Sequence, residues 1–310
     1  MSTRLWYNVN KCIIALTSVG VDVARQVPAK EISLFRAGGV IDLIATPHTV
    51  TELVTTIKLA RSHHLPMFTL GGGSNLLVKD GGYHGVAISL KHFNGILLDD
   101  NHVFVGASEK LPHIAYFSAK NQLSGLEALS GIPATIGGAT IKNAGCYGVE
   151  ISDIIEAVTL LDLNSLTIKR IIRAEIDYSY RSSGDTFKNS IVLYVRLRLS
   201  PSNGDLIKSI TDYRAKRLAS QPTEPSLGSV FLKTPEGVSA GYYVDKARLK
   251  GTRIGGAQIS DKHANFIVNT GCATATDYLK LTALMHDVVY KKYKISLQKE
   301  IDIIGEDYSD

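Results

Sequence analysis

Two glycine-rich segments dominate the first two thirds of the sequence. One is Gly71-Gly72-Gly73-Ser74-Asn75; the other, Gly131-Ile132-Pro133-Ala134-Thr135-Ile136-Gly137-Gly138-Ala139, runs on to Asn143-Ala144-Gly145-Cys146-Tyr147-Gly148. Glycine lets a backbone approach a ligand closely and take positive φ, so that successive N–H groups can converge on a diphosphate oxygen. Neither segment has the glycine spacing of a Rossmann loop or the Gly-Lys-Ser/Thr ending of a Walker loop. Taken singly, each reads as a structural turn. Two in one chain, each carrying Ser or Asn, favour a nucleotide-type cofactor.

Three polar residues elsewhere have ordinary readings when met alone. Arg181 in Tyr180-Arg181-Ser182 could be a salt-bridged surface arginine, Glu300 a solvated residue of a terminal strand, and Gly228-Ser229 a turn after Pro225. His63-His64 fall at the end of an expected helix and read as solvated C-terminal residues. Cys12, Cys146 and Cys272 lie far apart, with no Cys-x-x-Cys and no His at metal-ligand spacing. No disulfide framework or metal site is expected, a reducing cytoplasm fits, and Cys146 reads as a packing residue beside the glycine loop.

The elements that must position these residues are mixed. Thr49-Val50-Thr51-Glu52 makes a capping box, followed by Val50, Leu53, Val54, Ile57 and Ala60 at helical spacing. Strands are expected at Met67 to Leu70, Leu76 to Val78, Val86 to Leu90, Val103 to Gly106, Val158 to Asp162, Thr167 to Ile172 and Ile191 to Leu199. The turn-forming cluster Pro201-Ser202-Asn203-Gly204 is the best domain boundary. Beyond it come a helix from about Asp205 to Arg217, a Pro-containing break at Gln221 to Pro225, a short helix at Ala240 to Ala247 and strand-like Phe266 to Asn269. A long amphipathic helix spans Asp277 to Tyr293, with Tyr278 and Tyr243 at helical core positions. Leu297 to Ile304 alternates as a closing strand, with Gln298, Glu300 and Asp302 on its polar side.

At 310 residues the chain exceeds one typical core, and 45% apolar with 20% charged residues describes a globular protein. No twenty-residue apolar run suggests a membrane span. Cys12 to Val21 behind Lys11 has the length of a secretory signal, but Thr17, Ser18 and Asp22 oppose that reading. The net charge of +5 is modest and dispersed, which suits anionic small molecules better than a nucleic-acid track.

Ser33 to Gly39, Pro47 to Leu53, Leu70 to Val78, Gly125 through Gly148, Tyr180 to Ser183, Pro225 to Phe231 and Glu300 to Gly305 occur in one order. In that order they resemble the UDP-N-acetylenolpyruvoylglucosamine reductase (MurB) family over roughly residues 30 to 306. With no insertion between Arg181 and Pro222, the chain is similar to the type II branch, which lacks the type I tyrosine loop. The resemblance implies an α+β protein with the FAD-binding fold of the vanillyl-alcohol-oxidase/MurB type and a C-terminal α+β substrate domain. The expected division is residues 1–203 for FAD (subdomains about 1–93 and 94–203), 204–298 for the UDP-sugar, and 299–310 as a strand returning to the active site.

By the same resemblance, NADPH reduces FAD and leaves, and the enolpyruvyl ether of UDP-N-acetylglucosamine replaces it. Hydride passes from flavin N5 to the β-carbon and a proton reaches the α-carbon, giving UDP-N-acetylmuramate for peptidoglycan. Such a reaction builds negative charge on the α-carbon and carboxylate, so it needs cationic stabilisation and an acid. Arg181 can supply a cationic fork. Glu300 matches the family's glutamate, protonated or strongly hydrogen-bonded, and Ser229 matches its proton donor. The implied FAD site comprises Gly71, Gly72, Gly73, Ser74, Asn75, Gly131, Ile132, Pro133, Thr135, Gly137, Gly138, Asn143 and Gly145; Tyr180, Arg217 and Lys233 would bind substrate. His263 lies in a shared segment that borders either substrate or core. Ala134, Lys142 and Thr234 depart from the family pattern in loops that touch the ligands. A cytoplasmic monomer is expected.

Overall fold

The computed structural model describes residues 3–308. Helix α1 (Thr3–Ser18) buries Cys12, Ile13 and Leu16. Strand β1 (Asp22–Pro28) then pairs antiparallel with β2 (Val40–Thr46). Helix α2 (Val50–Ser62) starts where Thr49 takes extended backbone and its Oγ1 accepts from the Glu52 amide. The expected box closes one residue early, because Glu52 accepts from the His48 amide at 2.8 Å. The buried face of α2, Leu53, Thr56, Ile57 and Ala60, has helical spacing.

A crossover helix permits parallel pairing, and β3 (Met67–Leu70) and β2 both run parallel to β5 (Tyr83–Ser89), giving the order β1-β2-β5-β3. A bulge between Ile41 and Leu43 shifts the facing of β2. Ile41 and Ile44 therefore enter a small core with Ala29, Val78 and Ala87, while Leu43 and Ala45 enter the main one.

The second sheet is antiparallel throughout. Its order is β12 (Ile168–Ile172), β11 (Ile155–Asp162), β13 (Ser190–Arg198), β7 (His102–Gly106) and β6 (Ile96–Asp99). Helices α3 (Leu111–Lys120) and α4 (Ile136–Ile141) complete its core, and α5 (Leu206–Ser220) adds Leu206 and Ile210. Short pairs join β8 (Leu123–Ser124) to β14 (Ser200–Pro201) and β9 (Gly145–Cys146) to β10 (Val149–Glu150).

The third sheet runs β15 (Ser226–Ser229), β18 (Phe266–Asn269), β17 (Ala257–Ile259), β16 (Arg253–Ile254). It packs with α6 (Ala240–Lys246) and α7 (Ala275–Tyr293). Thr274 and Asp277 form a reciprocal box at the start of α7, and Asp80, far away in sequence, accepts from the Ala275 and Thr276 amides. This core takes Phe35, Ala37 and Leu77 from the N-terminal part; Phe35 meets the fully buried Tyr278 edge-on at 4.8 Å.

The two parts are sewn together by β19 (Asp302–Ile304), which lies parallel to β4 (Leu76–Val78). The regular closing strand is shorter than the expected Leu297 to Ile304. Leu297 and Ile301 are still buried, while Leu232 donates to the Gln298 carbonyl and Glu300 donates to that of Val230. No described helix is long and apolar enough to cross a membrane.

Candidate active site

The glycine loops, separated by sixty residues, face one another. A methyl placed on Gly71 would meet Thr135 Oγ1 at 3.4 Å, and one on Gly72 would meet the Pro133 carbonyl at 3.5 Å. Gly73 turns at φ +67 with Ile32 backbone against it, and its carbonyl accepts from Leu34. Around these loops lies a cleft of about 1360 Å³ lined by Gly71 to Asn75, Gly131 to Thr135, Gly138 and Gly145. A second cavity of about 620 Å³ shares Thr69, Gly71, Gly72, Thr135, Gly138 and Ile141 with it. One ligand pocket commonly measures roughly 300–1,000 Å³, so this joined space suits an extended cofactor plus a second ligand.

Two members of the expected FAD set act differently. Gly137 lies outside the main cleft and borders the second cavity; its amide donates to Ala107, whose carbonyl lies 3.0 Å from where a methyl would stand. Close packing explains that glycine. Asn143 is fully buried behind the loop, donating to Glu150 Oε2 at 2.8 Å and the Ser179 carbonyl at 2.9 Å, and accepting from Ser152. Its side chain supports the wall and does not face the cleft. The Gly138 amide is also occupied, by Thr135 Oγ1 at 3.3 Å, so α4 does not offer all its first amides to a phosphate.

The remaining expected residues meet in the cleft. Arg181 sits at φ +56, a left-handed conformation that costs a non-glycine residue about 1–2 kcal/mol. Three acceptors hold its guanidinium there. Nε donates to Glu300 Oε1 at 3.1 Å, Nη1 to the Asn143 carbonyl at 3.3 Å and Nη2 to the Gly145 carbonyl at 2.5 Å. Gly145 is required at this point, since a methyl would stand 2.9 Å from the Val149 carbonyl and 3.0 Å from Arg181 Nη1. Burial pushes the Glu300 carboxyl above its ordinary range, against the opposing pull of Arg181 and Lys142.

Ser229 ends β15, where a register shift and Gly228 at φ +79 turn the chain. Its hydroxyl has no protein hydrogen-bond partner among the described residues, which leaves it free for a ligand. The segment behind it is fixed by buried Asn265, which accepts from Val230 and Phe231 amides and donates to the Phe231 carbonyl at 2.8 Å. His263 caps the Asn265 amide and packs edge-on against Phe266, outside the cleft; burial holds it below its usual range, and its role is structural.

Tyr180 carries Arg181 on one contact at 5.1 Å and Lys233 on another at 5.3 Å. Arg217 lies against Gly131, where a methyl would meet its Cδ at 2.8 Å. Ala134 lines the cleft, whereas Thr234 is buried outside it and bonds within its own turn. Cys146 also lines the cleft, with burial raising its thiol, so it is a poor nucleophile.

Arg36, Arg214 and Lys299, which no sequence motif marks as site residues, also line the cleft, and Lys142 has a partner that no motif announces. Lys142 Nζ lies 2.6 Å from Asp302 Oδ1 across 160 residues, a relation without local signal. In all, seven cationic side chains (Arg36, Lys142, Arg181, Arg214, Arg217, Lys233, Lys299) line the cleft against four acidic ones (Glu150, Glu224, Glu300, Asp302). That balance favours anionic ligands.

Spacing also hid an exposed trio, Asp22, His48 and His92, whose ligand atoms lie within 4.8 Å of one another. The two imidazoles stack at 3.7 Å and 16°, so their in-plane lone pairs run side by side and do not converge on one ion.

Fold and site together define an FAD-binding α+β oxidoreductase. Residues 41–169 match the family model for an FAD binding domain, and residues 221–304 match that for the UDP-N-acetylenolpyruvoylglucosamine reductase C-terminal domain. The reductase of that name from Lactobacillus helveticus is 37% identical over 297 residues, covering 95% of this chain and 99% of the relative. That from Listeria monocytogenes is 41% identical, covering 90% and 94%. The crystal structure of MurB from Thermus caldophilus superposes with a TM-score of 0.77 at 34% identity, covering 91% of this chain and 98% of that one. The chain belongs to the UDP-N-acetylenolpyruvoylglucosamine reductase family.

Proposed function

We propose that this chain reduces the enolpyruvyl ether of UDP-N-acetylglucosamine to UDP-N-acetylmuramate, with NADPH as hydride donor, in peptidoglycan precursor synthesis. One observation carries the assignment of roles. Arg181, Glu300 and Ser229, whose hydroxyl has no partner among the described residues, share a single cleft with the facing glycine loops. The meeting of Gly71 and Gly72 with Thr135 and Pro133 fits a diphosphate-bearing cofactor, because side chains there would fill the channel.

FAD, when bound, supplies the hydride-carrying chemistry. The protein's share is electrostatic and protonic. Arg181, locked by three acceptors, presents fixed positive charge where the substrate carboxylate gains electron density. Glu300, raised by burial and hydrogen-bonded to Arg181, steadies the enol-like form of that carboxylate. Ser229 Oγ–H gives its proton to the α-carbon. Lys233 and Arg217, with the ring of Tyr180, grip the UDP portion.

The proposed division is 1–203 for FAD (about 1–93 and 94–203), 204–298 for the UDP-sugar and 299–310 as the returning segment. Helix α5 is the joint, packing on the first core while Arg214 and Arg217 reach the cleft. A cytoplasmic monomer completes the reading. The test is the purified, FAD-supplemented protein. A flavin absorbance spectrum and NADPH oxidation dependent on the enolpyruvyl UDP-sugar are expected, and failure to hold flavin overturns the reading.

A further inference from the structure

The wall of the cleft that carries Glu300 has a second carboxylate two residues on. Asp302 is about half exposed, and two groups hold it: Asn75 Nδ2 at 3.2 Å from Oδ2, and Lys142 Nζ at 2.6 Å from Oδ1. The same Asn75 amide donates to the Glu300 carbonyl at 3.1 Å, and Asp302 N donates back to the Asn75 carbonyl at 2.9 Å. Asn75 thus fixes the path of the segment without needing any charge. Lys142 does something the amide cannot, which is to cancel the charge of Asp302. A half-exposed ion pair adds little to folding stability, so its purpose is better sought in the cleft it borders.

We infer that Lys142 is a specificity-determining residue: it is the obligate counter-ion of Asp302, and it keeps the Glu300 wall able to receive an anionic nucleotide-sugar. The geometry is local and charge-specific. Lys142 follows α4 directly, and with Asp302 it lines the same cleft as Arg181 and Ser229. Removing the ammonium leaves the Asp302 carboxylate without its counter-charge, facing a ligand that brings a carboxylate and a diphosphate. Repulsion between like charges across a partly desolvated space then opposes binding. Neither residue touches the reacting atoms in this scheme, so the effect falls on affinity more than on turnover.

This inference rests on the proposed reaction, and its test separates the two. In FAD-loaded protein, Lys142→Met is expected to raise KM for the enolpyruvyl UDP-sugar about 10-fold, the scale of one uncompensated charge near a ligand, with kcat changed far less. Binding of UDP-N-acetylmuramate, read without turnover as a perturbation of the flavin spectrum, is expected to weaken by the same factor. The decisive variant is Lys142→Met with Asp302→Asn. It restores both constants to within about threefold of wild type, since asparagine retains the bond to Asn75 and carries no charge. If Lys142→Met binds normally, or if the double variant stays as weak as the single one, the counter-ion role is overturned. Loss of wild-type turnover itself would strike the proposed function instead.

Discussion

Arg181 and Glu300, 119 residues apart, are joined by a 3.1 Å hydrogen bond from Nε to Oε1 in which neither partner is more than about one-fifth exposed. The pair binds this end of the cleft into one unit, because Arg181 also grips Gly145 and Glu300 also grips Val230, next to Ser229. Changes to any of the three should therefore separate into recognisable kinds of defect.

Ser229→Ala removes only a hydroxyl with no protein partner among the described residues. The variant is expected to bind FAD and to be reduced by NADPH at the wild-type rate, while reduction of the enolpyruvyl substrate slows by roughly 10²–10⁴, the usual worth of a positioned general acid. Stopped-flow absorbance of the two half-reactions checks this, and unchanged reoxidation by substrate would remove Ser229 from its role.

Arg181→Lys keeps the charge and loses the fork. Lysine cannot reach Glu300 and the Asn143 and Gly145 carbonyls in one geometry. Charge-assisted bonds are each worth about 1.5–3 kcal/mol, so kcat/KM for the UDP-sugar should fall roughly 10- to 100-fold at normal FAD content. Steady-state kinetics at saturating NADPH measure it.

Gly145→Ala tests the same guanidinium from behind. The added methyl stands 3.0 Å from Arg181 Nη1 and 2.9 Å from the Val149 carbonyl, so one must move. The expected result is a loss of substrate turnover of about tenfold or more, the effect of a small misplacement of a positioned group. A wild-type kcat/KM would show that Arg181 tolerates displacement.

Glu300 predicts a pH signature. Burial raises its folded carboxyl above the unfolded value, so its contribution to stability is present at low pH and is lost as pH rises through the folded pKa. Glu300→Gln has no such titration. The melting temperature of wild type relative to this variant should therefore decline from pH 4 to pH 8, while the variant's activity is low throughout. A difference that grows with pH would mean that Arg181 outweighs burial.

Phe35→Ala should be among the costlier core changes. Phe35 is fully buried, meets Tyr278 at 4.8 Å and brings the N-terminal part into the C-terminal core. A loss of about 3–5 kcal/mol is expected by denaturant unfolding, with loss of substrate binding at lower denaturant than loss of the rest of the fold.

Local signals were the ones that could be read from sequence. Thr49 with Glu52, the helical spacing through α2 and α7, and the glycine loops announce themselves within a few residues. Ser229, Arg181 and Glu300 were legible only as a set ordered along the chain. Strand β2 escaped because both its faces are buried and a bulge breaks its alternation. Asn143 reads as a ligand residue because it sits in a glycine-rich loop, yet its amide is spent on Glu150 and Ser179. Lys142 looked like an unexplained departure, since its partner is 160 residues away and only the folded chain brings them together.

The parallel pairing of β4 with β19 also sets a clock. Asn75 is synthesised 225 residues before Glu300, an interval of roughly 10–45 s at about 5–20 residues per second. Throughout it, the Gly71–Asn75 loop has neither its closing strand nor the carboxylate that anchors its asparagine. The final shape of that loop is thus set by residues made more than two hundred positions after it.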